Sequence, residues 1–328
     1  MCARFEAAPV PVESRSVSTA VKASEGLGAD RVEARAVPFR RRVGGYIGLM
    51  KLRVVELLLV TTVPVMLLAA RGLPDLRVVA ATLVGGTLSA GAANAFNMVI
   101  DRDIDRVMHR TRHRPLVTGD LTTRQAVVFA VLLTVVSTLV LGFGGTWLAA
   151  ALSLAAIAFY VVIYTMWLKR RTSQNIVWGG LAGCFPVLIG WAAVTGSLSP
   201  AAWVLFAVIF LWTPAHYWPL SMRYRDDYSS VDVPMLGAVR PPAQVGLQTV
   251  LYAWATLACS LLLIPVAGMG PVYAVVALVA GGWFVLETHR LYARAVHGEE
   301  VAPMRVFHAS IGSLSLLFIG IAVDALLH

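Results

Sequence analysis

The chain has 328 residues, 58% of them hydrophobic and only 14% charged, with a mean hydropathy of +0.73, which excludes an ordinary soluble domain. Its formal charge of +9 does not point to nucleic acid, because the arginines stand in short clusters between apolar runs, where they serve as a membrane-topology signal.

Residues 1 to about 42 lack helical periodicity and are interrupted by Pro9, Pro11 and Pro38. The stretch has no apolar h-region and contains Glu6, Glu13, Glu25 and Asp30, so it reads as a disordered cytoplasmic tail ending in Arg40, Arg41 and Arg42, not as a signal or transit peptide. Residues 43–328 are expected to form one membrane domain.

There, apolar runs of about twenty residues alternate with short polar breaks, the length an α-helix needs to cross roughly 30 Å of hydrocarbon. The expectation is an all-α integral membrane protein with nine spans: Leu52 to Ala70, Leu76 to Ile100, Arg124 to Phe143, Trp147 to Trp167, Asn175 to Thr195, Ala201 to Ser221, Ala243 to Val266, Pro271 to Glu287 and Val306 to Leu327. Cys184 and Cys259 lie inside apolar segments, far from Cys2 and without metal-ligand spacing, which makes them small core residues.

Cations collect after the second, fourth, sixth and eighth spans, while the alternate breaks are nearly uncharged apart from Arg71 and Arg77 around Asp75. The positive-inside rule therefore puts the N-terminus and the four cationic loops in the cytoplasm, and an odd number of spans leaves His328 outside.

The first cationic break holds Asn97, Asp101 and Asp105 at i, i+4, i+8, on one helical face if the second span continues, with Asp103 pointing away. Carboxylates at that spacing repel unless a cation sits between them. A hard divalent ion with oxygen ligands, typically Mg²⁺, removes the repulsion and leaves positions for phosphate oxygens, so these three residues are candidate metal ligands. A second acidic group, Asp226, Asp227 and Asp232, follows the sixth span on the same side. Carboxylates mixed with arginines suit a polyanion held partly through metal and partly by guanidinium forks. Arg102, Arg106, Arg225, Asp226, Lys51, Arg53, Lys169, Arg170 and Arg171 are the residues expected to line such a site. His216, in "LWTPAHYWPL", is an ionisable ring inside the sixth span, either a functional group or a neutral ring bonded to a neighbouring helix.

The segments "NMVIDRDIDRVMHRTRHRPLVTG", "YTMWLKRRTSQNIVWGGLAG", "LWTPAHYWPLSMRYRDDY" and "VPML" resemble the UbiA prenyltransferase superfamily, in its protohaem-using branch, from about Tyr46 to the C-terminus. The resemblance implies about nine helices around a central cavity. It implies farnesyl diphosphate as donor, haem B as acceptor and Mg²⁺ as cofactor, bound near the cytoplasmic face by Asn97, Asp101, Asp105 and Asp227. His216 would orient the haem. Asp232 departs from the superfamily spacing and is not expected to be a ligand. Because the tail is unlike an organelle transit sequence, the bacterial inner membrane is the expected location; haem A synthase or oxidase assembly proteins are the implied neighbours. A transporter, a prenyltransferase with a quinone or chlorin acceptor, and a non-catalytic assembly factor are the competing readings; nine spans and a second aspartate cluster argue against transport.

Overall fold

A computed structural model describes residues 37–327, without the side chains of residues 53–59. The expected tail up to residue 36 lies outside the described residues, as does the side chain of Arg53. The described part is a helical bundle with no strand among its residues.

In chain order the helices are α1 (Phe39–Met50), α2 (Leu52–Ala70), α3 (Leu76–Ile100), α4 (Arg102–Val107), α5 (Thr123–Gly144) and α6 (Trp147–Ala158), which runs into a π-helix at Phe159–Leu168. There follow α7 (Asn175–Gly179), α8 (Leu181–Thr195), α9 (Pro200–Arg223), α10 (Arg225–Ser229), α11 (Leu236–Val239), α12 (Pro242–Leu261), α13 (Leu263–Ala267), α14 (Pro271–Val296) and α15 (Pro303–Leu327). Among the described residues, eight helical segments are long and apolar enough to cross a membrane; α2 is helical over 19 residues, and its described stretch Val60–Ala70 is apolar. Leu132, Val135 and Leu139 on α5 and Val275, Leu278 and Val279 on α14 turn outward, where only lipid would cover them.

Three departures from the sequence reading have local causes. Arg40, Arg41 and Arg42 belong to α1, not to a tail, and Arg41 pairs with Asp120 at 2.7 Å, so the helical domain begins before residue 43. The fourth span changes from α to π geometry halfway. The fifth is interrupted at Gly180, where the close approach of Thr213 leaves no room for a Cβ.

Helix ends follow the capping rules. Thr122 and Gln125 form a capping box on α5, Ser199 caps α9 ahead of Pro200, and Asp75 accepts from the Arg77 N–H at α3. The start of α14 is capped in trans: Asp324 of α15, 1% exposed, accepts from the backbone N–H of Gly270 at 2.7 Å and of Tyr273 at 3.1 Å. The largest apolar cluster joins α2, α8, α9, α12, α14 and α15 through Val65, Leu188, Leu205, Trp212, Leu257, Tyr273, Phe284 and Phe318.

Asp324→Ala removes the acceptor of two buried N–H groups while leaving the apolar seams intact. It should cost about 1–2 kcal/mol, read as a lower melting temperature in detergent. An unchanged melting temperature would mean that the cap contributes nothing to holding α14 against α15.

Candidate functional site

At the end of α3 the chain turns without losing its register. Asp101 leaves helical geometry, yet its N–H donates to the Asn97 carbonyl at 2.9 Å and the Asp105 N–H donates to the Asp101 carbonyl at 2.9 Å. Asn97, Asp101 and Asp105 consequently share the buried side, at 3%, 0% and 2% exposure. Asp103 lies outside, held by Arg170 through two 2.7 Å bonds. That pairing lowers the Asp103 pKa to about 2.

Each buried oxygen group meets a base brought from elsewhere. Lys51, at the left-handed junction between α1 and α2, donates from Nζ to Asn97 Oδ1 at 2.9 Å. Asn97 Nδ2 donates to Asp101 Oδ2 at 2.7 Å and to Thr165 Oγ1 at 3.2 Å. Lys169 Nζ reaches Asp101 Oδ2 at 2.5 Å, and Arg114 Nη1 reaches Asp105 Oδ2 at the same distance. Three cations thus surround two carboxylates. Burial, and after it the charges of Arg114 and Lys169, pulls the Lys51 ammonium down to about 7. A site with surplus positive charge is built for an anion.

The π-helix makes this arrangement possible. Its wider turn, with the Lys169 N–H bonded to the Tyr164 carbonyl at 2.9 Å, brings Thr165 to Asn97 and Lys169 to Asp101. Extra turns of this kind cost hydrogen-bond geometry and concentrate at functional sites.

Above the cluster is a polar cavity of about 80 Å³ lined by Lys51, Asn97, Asp105, Arg110, Lys169 and tyrosines 160, 164, 217 and 228. Arg110 donates from Nη2 to the Tyr228 hydroxyl at 3.3 Å and lies near the Tyr224 and Tyr228 rings, 5.2 and 5.8 Å from their centroids. Asp101 Oδ1, an acceptor with only the Arg170 guanidinium 3.7 Å away, and Arg110 Nε, a donor, are buried here without a hydrogen bond. A ligand carrying both a cation and an anion answers both. Below it, an apolar cavity of about 190 Å³ runs between α2, α3, α6 and α8, and Tyr160 lines both.

The other residues named from the sequence fall in different places. Asp227 does not join the buried carboxylates: its two oxygens accept from the backbone N–H groups of His109 and Arg110 at 3.1 and 3.2 Å, so it fixes the loop that carries Arg110. Among the described residues no group of three or more His, Cys, Asp or Glu is placed to hold a metal, and the oxygen set is Asn97, Asp101 and Asp105 alone. Arg102 bonds the Leu116 carbonyl and the Thr123 hydroxyl, both at 3.2 Å, which ties down the loop before α5 instead of facing the cavity. Arg106, Arg171, Arg225 and Asp226 are exposed and line neither cavity. Asp232 is an exposed turn residue at φ 52°, a conformation aspartate tolerates.

His216 is packed between α9 and α15. Its Nδ1 bonds the Ser310 hydroxyl at 2.7 Å, and its ring is stacked against Trp212 and Phe307 with centroids 4.2 and 4.6 Å away. It lines neither of these two cavities. Arg110, Arg114, Thr165 and the four tyrosines escaped the sequence reading. The arginines were visible only as loop charges, and no local pattern marks a tyrosine whose partner is on another helix.

The family model described as the UbiA prenyltransferase family matches residues 58–311. A protoheme IX farnesyltransferase of Clavibacter michiganensis subsp. michiganensis is 66% identical over 297 residues, covering 90% of this chain and 97% of that protein. One of the same name from Leifsonia xyli subsp. xyli is 65% identical over 301 residues, 90% and 98% of the two chains. Among solved structures, a UbiA homolog from Aeropyrum pernix K1 superposes with TM-score 0.66 at 21% identity, over 82% of this chain and 97% of that one. A UbiA homolog from Archaeoglobus fulgidus bound to GPP and Mg²⁺ gives 0.64 at 16%, over 87% and 100%.

Asp101→Ala strands the Lys169 ammonium beside a buried cavity and should destabilise the protein by about 3–5 kcal/mol. Asp103→Ala removes an exposed pair and should cost under about 1 kcal/mol. Chemical unfolding in micelles measures both; equal losses would contradict the burial difference.

Proposed function

Because the chain belongs to the UbiA prenyltransferase family, matched over residues 58–311, we propose that it transfers the farnesyl group of farnesyl diphosphate to a vinyl group of haem B, producing haem O. The observation that carries the chemistry is the junction at Tyr160 of a cation-rich polar cavity and an apolar one, a pairing suited to a diphosphate head and a hydrocarbon tail. The relatives named above support haem as the acceptor.

The donor's diphosphate would lie among Lys51, Arg110, Arg114 and Lys169, whose charges stabilise the negative charge that develops as its C–O bond breaks. Asn97, Asp101 and Asp105 would hold Mg²⁺, which supplies further neutralisation of that charge. Fit to such an ion rests on the oxygen ligands and on the buried Asp101 Oδ1, which accepts no hydrogen bond. The leaving diphosphate takes the electron pair, and the faces of Tyr160, Tyr164 and Tyr217 shield the allylic cation from water. The haem vinyl group attacks that carbon. Water then adds to the porphyrin-side cation and releases a proton, giving the hydroxyethylfarnesyl group. Asp227 acts at one remove, by fixing the loop of Arg110.

The protein is a multi-pass membrane protein. We place the polar cavity at the cytoplasmic face of a bacterial inner membrane, with the C-terminus external, on the distribution of Arg and Lys between spans. Residues before α1 would form a cytoplasmic tail, and the product would pass to haem A synthase or to oxidase assembly. A reporter fused within the loop from Met108 to Thr118 should read cytoplasmic, and one after His328 external; the same reading at both positions would refute the odd span number.

Haem extraction from cells lacking their own haem O synthase tests the reaction. Wild type should convert haem B to haem O, Asp101→Asn and Asp105→Asn should lose at least about a hundredfold in rate while still inserting, and Asp103→Asn should stay within about threefold. His216→Ala should lower thermal stability more than haem affinity. Wild-type prenylation of an aromatic acid or quinone precursor, with no haem O formed, would replace the haem assignment.

A further inference from the structure

The apolar cavity contains two glycines that the fold itself does not require. Gly86 in α3 and Gly183 in α8 both line it, neither has a positive φ, and a Cβ built on either meets no atom within 4 Å. Glycine inside a helix costs stability relative to alanine, so it is ordinarily retained for backbone freedom or for close packing. Close packing explains Gly85, one residue away, where a Cβ would lie 2.6 Å from Leu141 Cγ. Neither reason applies to Gly86 or Gly183. The space that their missing side chains leave is the cavity.

What that space accepts follows from its walls. Thr82 donates to the Val78 carbonyl at 2.8 Å, Ser89 accepts from Ser153 at 2.7 Å, and Asn94 donates to the Met50 carbonyl at 3.0 Å. These polar groups bond within the protein, and the rest of the wall is Ala, Gly, Ile and Pro together with Tyr160 and Thr62, a mostly apolar lining that suits a hydrocarbon.

Depth gives the two positions their meaning. At about 1.5 Å per residue, Gly86 lies roughly 16 Å along α3 from Asn97, where the polar cluster begins. Gly183 lies roughly 12 Å beyond Asn175, whose side chain donates to the Lys169 carbonyl at that same cluster. Gly86 opens the deeper part of the wall that runs from Asn94 to Thr82, and Gly183 faces the middle of the opposite wall, between Gly179 and Ile189. We propose that Gly86 and Gly183 set the prenyl-chain length this protein accepts, by holding open the depth taken by the third isoprenyl unit. This deepens the prenyl-donor reading above and rests on it.

The test uses the full chain in lipid nanodiscs and the non-hydrolysable thiolodiphosphate analogues of geranyl and farnesyl diphosphate. Gly86→Leu and Gly183→Leu should each weaken the farnesyl analogue about tenfold or more, because the side chain occupies the terminal unit's place, while the geranyl analogue stays within about twofold. Gly282→Leu, on α14, adds the same bulk where a Cβ also meets nothing, away from the cavity, and should leave both affinities unchanged. Gly86→Val and Gly183→Val repeat the measurement with less bulk should a leucine variant aggregate. If the variants bind the two analogues in the wild-type ratio, or Gly282→Leu shifts the ratio equally, the glycines do not set chain length. Haem O formed by wild type in the same preparation would leave the reaction itself standing. A shifted ratio in a wild-type background that makes no haem O would sustain the chain-length role and overturn the acceptor.

Discussion

The structure depends on keeping two carboxylates charged at the edge of a hydrocarbon layer. Asp101 and Asp105 are almost wholly removed from solvent, and an ion in that position is stable only when a partner cancels the loss of hydration. Lys169 and Arg114 supply that cancellation, one from the end of the π-helix and one from the loop after α4. Lys51 adds a third cation through Asn97, from the left-handed junction before α2. Four separate parts of the chain are therefore pinned to one point, and the helices that carry them cannot slide without stranding a buried charge.

The irregular backbone in this region is the consequence. A continuous α-helix from Trp147 would rotate Thr165 and Lys169 away from α3, whereas the π-helix delays their rotation and brings both to the cluster. The interruption at Gly180 similarly lets α9 approach through Thr213. The π-helix and the turn at Asp101 lie at the cluster, while α5 and α14, distant from it, run regular and turn apolar residues outward. Local strain is placed where charges must be aligned.

The two cavities divide the chemistry that the site can perform. One is lined by cations and tyrosines, the other by small apolar residues, and Tyr160 belongs to both. An amphiphile whose charged and hydrocarbon parts meet at a reacting carbon would place that carbon beside the tyrosine faces. Asp227 and Arg102 hold the loops that close this region, which gives two of the charged residues a structural duty instead of direct contact with a ligand.

The sequence by itself determined the membrane class, eight of its nine expected spans and the common face of Asn97, Asp101 and Asp105, because hydropathy and helical period are properties of neighbouring residues. It also carried the resemblance to the prenyltransferase family through four short segments. What only the tertiary structure decided was which charges meet. Lys51 is 46 positions from Asn97, Lys169 is 68 from Asp101, and His109 is 118 from Asp227, separations across which no period operates. Arg102 and Arg114 look alike in a basic loop, yet the turn after α4 sends one to a carbonyl and the other to Asp105. His216 was an intramembrane ionisable group by sequence, and packing between α9 and α15 made it a stacked ring bonded to Ser310. A charge buried in a membrane protein takes its role from the partner that neutralises it, and that partner is chosen by the way helices pack.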